Sequence, residues 1–118
     1  MKASTSQALK SPTSTDMINA GSINEIKPGK MKRIDAPGGK RILVCNVDGE
    51  FYAVDDMCTH EDASLYLGCL KGEEVQCSLH GGMFNVKTGA ATVEPAELPL
   101  KTHVVTLRDD HIYIDISS

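Results

Sequence analysis

A chain of 118 residues, 41% of them hydrophobic and 24% charged, is ordinary material for one globular domain and too short for two. Its formal net charge of −4 argues against the basic face that nucleic-acid binding requires, and no run nears the roughly 18 apolar residues of a membrane span. Four cysteines with no apolar leader ahead of them point to a reducing compartment, the cytoplasm, where thiols serve as metal ligands or core residues.

Residues 1–16 are rich in Ser, Thr, Lys and Ala, without periodicity or apolar mass, and read as a disordered leader to a domain over 17–118. From Met17 onward short strands and turns are expected. Lys27-Pro28-Gly29 and Ala36-Pro37-Gly38-Gly39 punctuate the chain on either side of Met31-Lys32-Arg33-Ile34. Two β-rich runs, Arg41 to Val47 and Glu50 to Val54, flank Asp48-Gly49. Both central residues of a type I′ turn need positive φ, so this pair predicts a hairpin. A helical period is nowhere sustained, and Ala63 to Leu67 has room for one turn. A second hairpin is expected from Lys101–Leu107 and His111–Ile116 around Arg108-Asp109-Asp110. Ile112, Ile114 and Ile116 alternate with Tyr113 and Asp115, the period of a strand with one buried face. The pattern predicts an all-β fold, a sandwich or small barrel.

Residues 57–92 break that regularity. They hold three of the four cysteines, two of the four histidines and five glycines, the composition of a loop-built site on a β scaffold. Cys58-Thr59-His60 and Cys77-Ser78-Leu79-His80 are separated by sixteen residues. Each supplies one thiolate and one imidazole, together a four-ligand set for a soft or borderline metal. A zinc finger places like ligands side by side, C-x₂₋₄-C then H-x₃₋₅-H. Here Cys and His alternate, as two loops must if each is to reach both irons of a diiron cluster with Cys₂ on one iron and His₂ on the other.

With Gly81-Gly82-Met83-Phe84 and Thr88-Gly89 added, these motifs resemble the Rieske [2Fe-2S] ferredoxins of bacterial aromatic-ring dioxygenase systems. The resemblance runs from about Ile18 to Ile116. It includes Leu43 to Val54 and the proline-containing segment Pro95 to Leu100, similar to the one that closes over the cluster in that family. It implies a β-sandwich base with a smaller inserted cluster-binding subdomain, about 57–92. Cys58 and Cys77 would hold the inner iron, and His60 and His80 the outer one, where the electron would leave. The implied role is that of an electron carrier rather than an enzyme. It would be a monomer taking single electrons from a flavin-dependent reductase to a terminal non-haem iron oxygenase that dihydroxylates aromatic compounds. Two other functions are weighed: the same cluster in a nitrite reductase small subunit or another oxygenase's carrier, and a structural zinc module.

Higher-potential relatives carry a disulfide between the ligand loops; its positions here are Ala63 and Leu79. They also place Ser and Tyr donors to sulfur where this chain has Gly82 and Phe84. Missing donors leave the reduced cluster less stabilised, so a potential on the order of −150 mV is expected, and Gly82→Ser with Phe84→Tyr should raise it. Gly81-Gly82 is expected to let the backbone approach a sulfide. Cys45 and Cys69 are expected to fill the core, and His103 and His111 to be exposed. Glu61-Asp62 and Glu73-Glu74 form a candidate acidic rim for a basic partner.

Overall fold

A computed structural model describes residues 17–59, 63–78, 81–94, 96 and 98–116. The leader read over 1–16 lies outside these, as do His60, Glu61, Asp62, Leu79, His80 and Pro95.

Three antiparallel sheets account for the strands among the described residues, and no α-helix is found there. β1 (Met17–Ser22), β10 (Val105–Arg108) and β11 (His111–Asp115) form one sheet in the order β1-β11-β10. β2 (Met31–Ala36), β3 (Lys40–Val47), β4 (Glu50–Asp55) and β9 (Thr102–His103) form the second, in the order β2-β3-β4-β9. β5 (Cys69–Lys71), β6 (Glu74–Gln76), β7 (Met83–Asn85) and β8 (Ala91–Val93) form the third as a simple meander. The all-β expectation holds, with the third sheet inserted between β4 and β9. Among the described residues no helix is long and apolar enough to cross a membrane.

Both expected hairpins form. Asp48 (φ 53°) and Gly49 (φ 92°) connect β3 to β4, with Val47 opposite Glu50. Asp109 and Asp110, also at positive φ, connect β10 to β11, with Arg108 opposite His111. The long run read over Lys101–Leu107 is divided, however. Thr102 and His103 pair with β4, and the chain crosses to the first sheet at Val104. The crossover is tied by the Asp115 amide donating to the Val104 carbonyl (2.9 Å). One expected helical turn appears as a 3₁₀ turn, Leu65–Leu67.

β3 is buried on both faces, and its alternation divides the interior in two. Ile42 and Val44 point into a core with Ala20, Ile26, Ala53, Ile112 and Ile114, between the first two sheets. Leu43, Cys45 and Val47 point the other way, into a core with Val54, Leu65, Val75, Phe84, Val86 and Leu100, beneath the third sheet. Successive side chains of a strand face opposite sides, so the buried stretch of one strand, Ile42 to Val47, serves two interiors. Asn46 is buried but satisfied: Nδ2 donates to the Ile26 carbonyl (2.8 Å), and Oδ1 accepts from the Gly49 amide (2.7 Å), which fixes the hairpin.

Candidate metal centre

Cys58 and Cys77 arrive on two loops built alike. The first leaves β4 at Asp55 and returns to the 3₁₀ turn. Met57 bridges Ser64, the Leu65 amide donates to the Asp56 carbonyl (2.7 Å), and the Cys58 amide donates to the Ala63 carbonyl (2.9 Å). The second is the tip of the β6–β7 hairpin, beyond the Gln76–Met83 pair. There the Cys77 amide donates to the Gly82 carbonyl (2.8 Å) and the Gly81 amide back to the Cys77 carbonyl (3.3 Å). Each cysteine thus closes its own loop onto the residue five positions on. The predicted histidines fall inside these closures by sequence, and both lie outside the described residues.

The two thiols share one apolar environment. Each residue is 4% exposed, and both belong to the core that contains Ala63, Val75, Phe84, Ala96 and Leu100. None of the four cysteines is in a disulfide. Two thiols buried together on separate loops, unbridged, are a donor pair suited to a soft metal centre. Cys45 shares that core but sits mid-strand, where burial first, and the negative charge of Asp56 second, push its thiol up to about 12. It remains a protonated packing residue, as expected.

Other expectations are corrected. Cys69 is exposed on the edge strand β5, because the alternation of that short strand turns Leu70 inward instead. His103 is buried: its Nε2 lies 2.8 Å from Asp55 Oδ1, a partner 48 residues away that no local pattern reveals. His111 is half-buried, its Nδ1 3.0 Å from the Asp109 carbonyl. Gly82 has a further constraint beside the expected one: a Cβ there would stand 2.9 Å from the Ala96 nitrogen and 3.0 Å from its Cβ. A serine at 82 therefore requires Ala96 to shift. Glu73 is not a free rim charge. It accepts from Asn85 (2.9 Å) and pairs with Lys87 (3.4 Å), which together hold its carboxyl below the usual range.

Several contributors have no signal in the ligand motif. Thr59 Oγ1 donates to the Leu98 carbonyl (2.8 Å), tying the first loop to the segment that follows β8. Asp56 is 2% exposed and accepts from the Tyr66 amide (2.9 Å) and the Ser64 hydroxyl. The Asp55-Asp56 doublet at a strand end is the nearest thing to a clue for it. Met57 and Leu98 leave large apolar side chains exposed beside the loop.

A family description, "Rieske [2Fe-2S] domain", matches residues 16–104. The ferredoxin component of the biphenyl 2,3-dioxygenase of Rhodococcus jostii (strain RHA1) is 44% identical over 95 residues, covering 80% of this chain and 88% of that protein. The ferredoxin component of the p-cumate 2,3-dioxygenase system of Pseudomonas putida is 37% identical over 105 residues, covering 88% and 89%. Among solved structures, a chain from the complex of reduced oxygenase and oxidized ferredoxin in carbazole 1,9a-dioxygenase superposes with a TM-score of 0.83 at 33% identity, covering 85% of this chain and 93% of that one.

Proposed function

Because the chain belongs to the Rieske [2Fe-2S] family, we propose that it is the ferredoxin component of an aromatic-ring dioxygenase system, an electron carrier rather than an enzyme. One [2Fe-2S] cluster is its cofactor, and it supplies reversible storage of a single electron. We assign its ligands as Cys58, His60, Cys77 and His80, and the cluster-binding subdomain as about 57–92. The observation that carries the assignment is the matched closure of two loops, Cys58 onto Ala63 and Cys77 onto Gly82, with both thiols buried in one apolar core.

The protein's own residues do three things. The loop closures orient the thiols without spending their sulfur atoms on a disulfide. Phe84, Ala96 and Leu100 exclude water from the inner side of the site, and a dry, apolar surround disfavours the added negative charge of the reduced state, which lowers the potential. The exposed side chains of Met57 and Leu98 furnish a contact face for partners beside the first ligand loop. A terminal oxygenase is the acceptor, by analogy with the solved ferredoxin–oxygenase complex, and a flavin-dependent reductase is the donor. A cytoplasmic location fits four cysteines outside disulfides, and a monomer is the simplest state for such a carrier.

Two measurements test this proposal. The purified protein should be red-brown and give an EPR signal only when reduced; a colourless, silent zinc protein would end the cluster assignment. Mixed with a flavin reductase and an aromatic-ring oxygenase, it should restore NADH-dependent turnover. Restoration only with a nitrite reductase or an unrelated oxygenase would reassign the system while keeping the cluster.

A further inference from the structure

At the base of the first ligand loop lies a charged cluster that ligand binding does not require. The Asp56 carboxylate is 2% exposed, and burying such a group is costly unless it is compensated. Its Oδ1 accepts from the Tyr66 amide and its Oδ2 from the Ser64 hydroxyl. Ser64 Oγ in turn accepts from Arg33 Nη1 (2.9 Å), which lies 4.0 Å from Asp56 Oδ2. The Arg33 guanidinium also sits 5.3 Å above the centre of the Tyr66 ring. Arg33 stands on β2, opposite Leu43 of β3. The cluster therefore bolts the loop's two ends to the base sheet.

Charge this close to a redox centre has a further effect. Two residues of chain place Asp56 Cα within about 7 Å of Cys58 Cα, inside the roughly 8 Å over which even solvent screens charge. The field of Asp56 reaches the interior, where it adds to the elevation of the Cys45 thiol. Arg33 stands behind the carboxylate and is partly exposed.

We propose that Arg33 and Asp56 are positioning residues that set the reduction potential as an opposed charge pair, Asp56 pulling it down and Arg33 pulling it up. This rests on the assignment of Cys58 as a ligand. A nearby negative charge disfavours adding an electron to the site and a nearby positive charge favours it. Asp56 is the closer in the chain and the better buried, so its neutralisation has the larger effect.

Protein-film voltammetry on the cluster-loaded protein at pH 7 and fixed ionic strength tests it. Asp56→Asn should raise the affinity for the electron about tenfold, which is about 59 mV for a one-electron couple. Arg33→Met should lower it about threefold, the smaller effect of an exposed charge. Arg33→Lys, which keeps the charge but loses the planar fork, should stay near the parent. Opposite shifts support the pair, because a loosened loop has no reason to move the potential in opposite directions for the two substitutions. Shifts of one sign, or none, overturn it. If Asp56→Asn fails to accumulate, the contrast between Arg33→Met and Arg33→Lys decides: equal potentials for the two overturn the proposal. A parent protein without a cluster signal would instead overturn the cofactor assignment, a result separable from any shift among loaded variants.

Discussion

The two interiors that meet at β3 are built from different materials. The core between the first two sheets is almost wholly aliphatic, with Ile42, Val44, Ile112 and Ile114 buried on paired strands and Ile26 from the turn after β1. The core beneath the third sheet mixes Leu43, Val54 and Phe84 with three cysteines and small residues, and is roofed by loops and three-residue strands. The first is held by apolar burial between hydrogen-bonded strands. The second leaves two thiols outside any disulfide, and on the proposed assignment it would gain part of its order from the cluster they hold. Stability and function are thus separated by one strand's thickness.

The largest expected effect lies on the site side. Cys77→Ser should abolish the visible absorption of the bound cluster, while amides of β3 and β11 keep their protection from hydrogen exchange. If the base sheets lose protection to the same extent as the third sheet, the two interiors are one cooperative unit and the contrast fails. Next comes the base. Ile42→Ala should cost about 2–5 kcal/mol, as large-to-small core substitutions do, with an unchanged absorption spectrum in the protein that remains folded. Chemical denaturation measures the first part and spectroscopy the second.

A smaller effect sharpens the chemistry of the site-side core. Phe84→Tyr alone should raise the potential by adding a hydroxyl near the sulfur ligands, since Phe84 is fully buried in the core of Cys58 and Cys77. Gly82→Ser should instead lower stability by about 1–3 kcal/mol through its collision with Ala96. Voltammetry on the first and a melt on the second separate donor chemistry from packing.

The smallest effect is one of pH, and each region supplies one half of it. In the base, Lys32 at 2.6 Å and the Ser22 amide hold the Glu25 carboxyl below its usual range. In the third sheet Asn85 and Lys87 do the same for Glu73. A carboxylate whose folded pKa is depressed stabilises the fold above its unfolded pKa, near 4.3, and that contribution is lost as pH falls through the folded value. Both are solvent-exposed pairs, so the effect is slight. Glu25→Gln and Glu73→Gln should each flatten the stability profile below about pH 4.3, in acid titrations followed by circular dichroism. Equal flattening by the two would place their losses in one transition.

Features governed by local chemistry were legible in the sequence. Asp48-Gly49 announced its turn because positive φ is demanded there, and the isoleucines of β11 announced their buried face by alternation. The paired Cys-His spacings pointed to a shared metal, and both cysteines do arrive in one buried core. Features decided by distant partners stayed hidden. His103 is buried because Asp55 meets it across β4 and β9, and Cys69 is exposed because the register of β5 in its sheet turns Leu70 to the core instead. The Lys101–Leu107 run is split because β4 captures Thr102 and His103 before the chain can join β11. Asp56 took its meaning from Arg33 on β2, and nothing near it in sequence signals that partner.

The two-faced β3 also governs where the chain can change length. Inserting or deleting one residue within Lys40–Val47 would reverse every side chain beyond the change, sending Val44 toward the thiols and Cys45 toward the isoleucines. Both interiors would fail together. The turns at Asp48-Gly49 and Asp109-Asp110 lie outside both cores, so length variation among descendants of this sequence should collect there and spare β3.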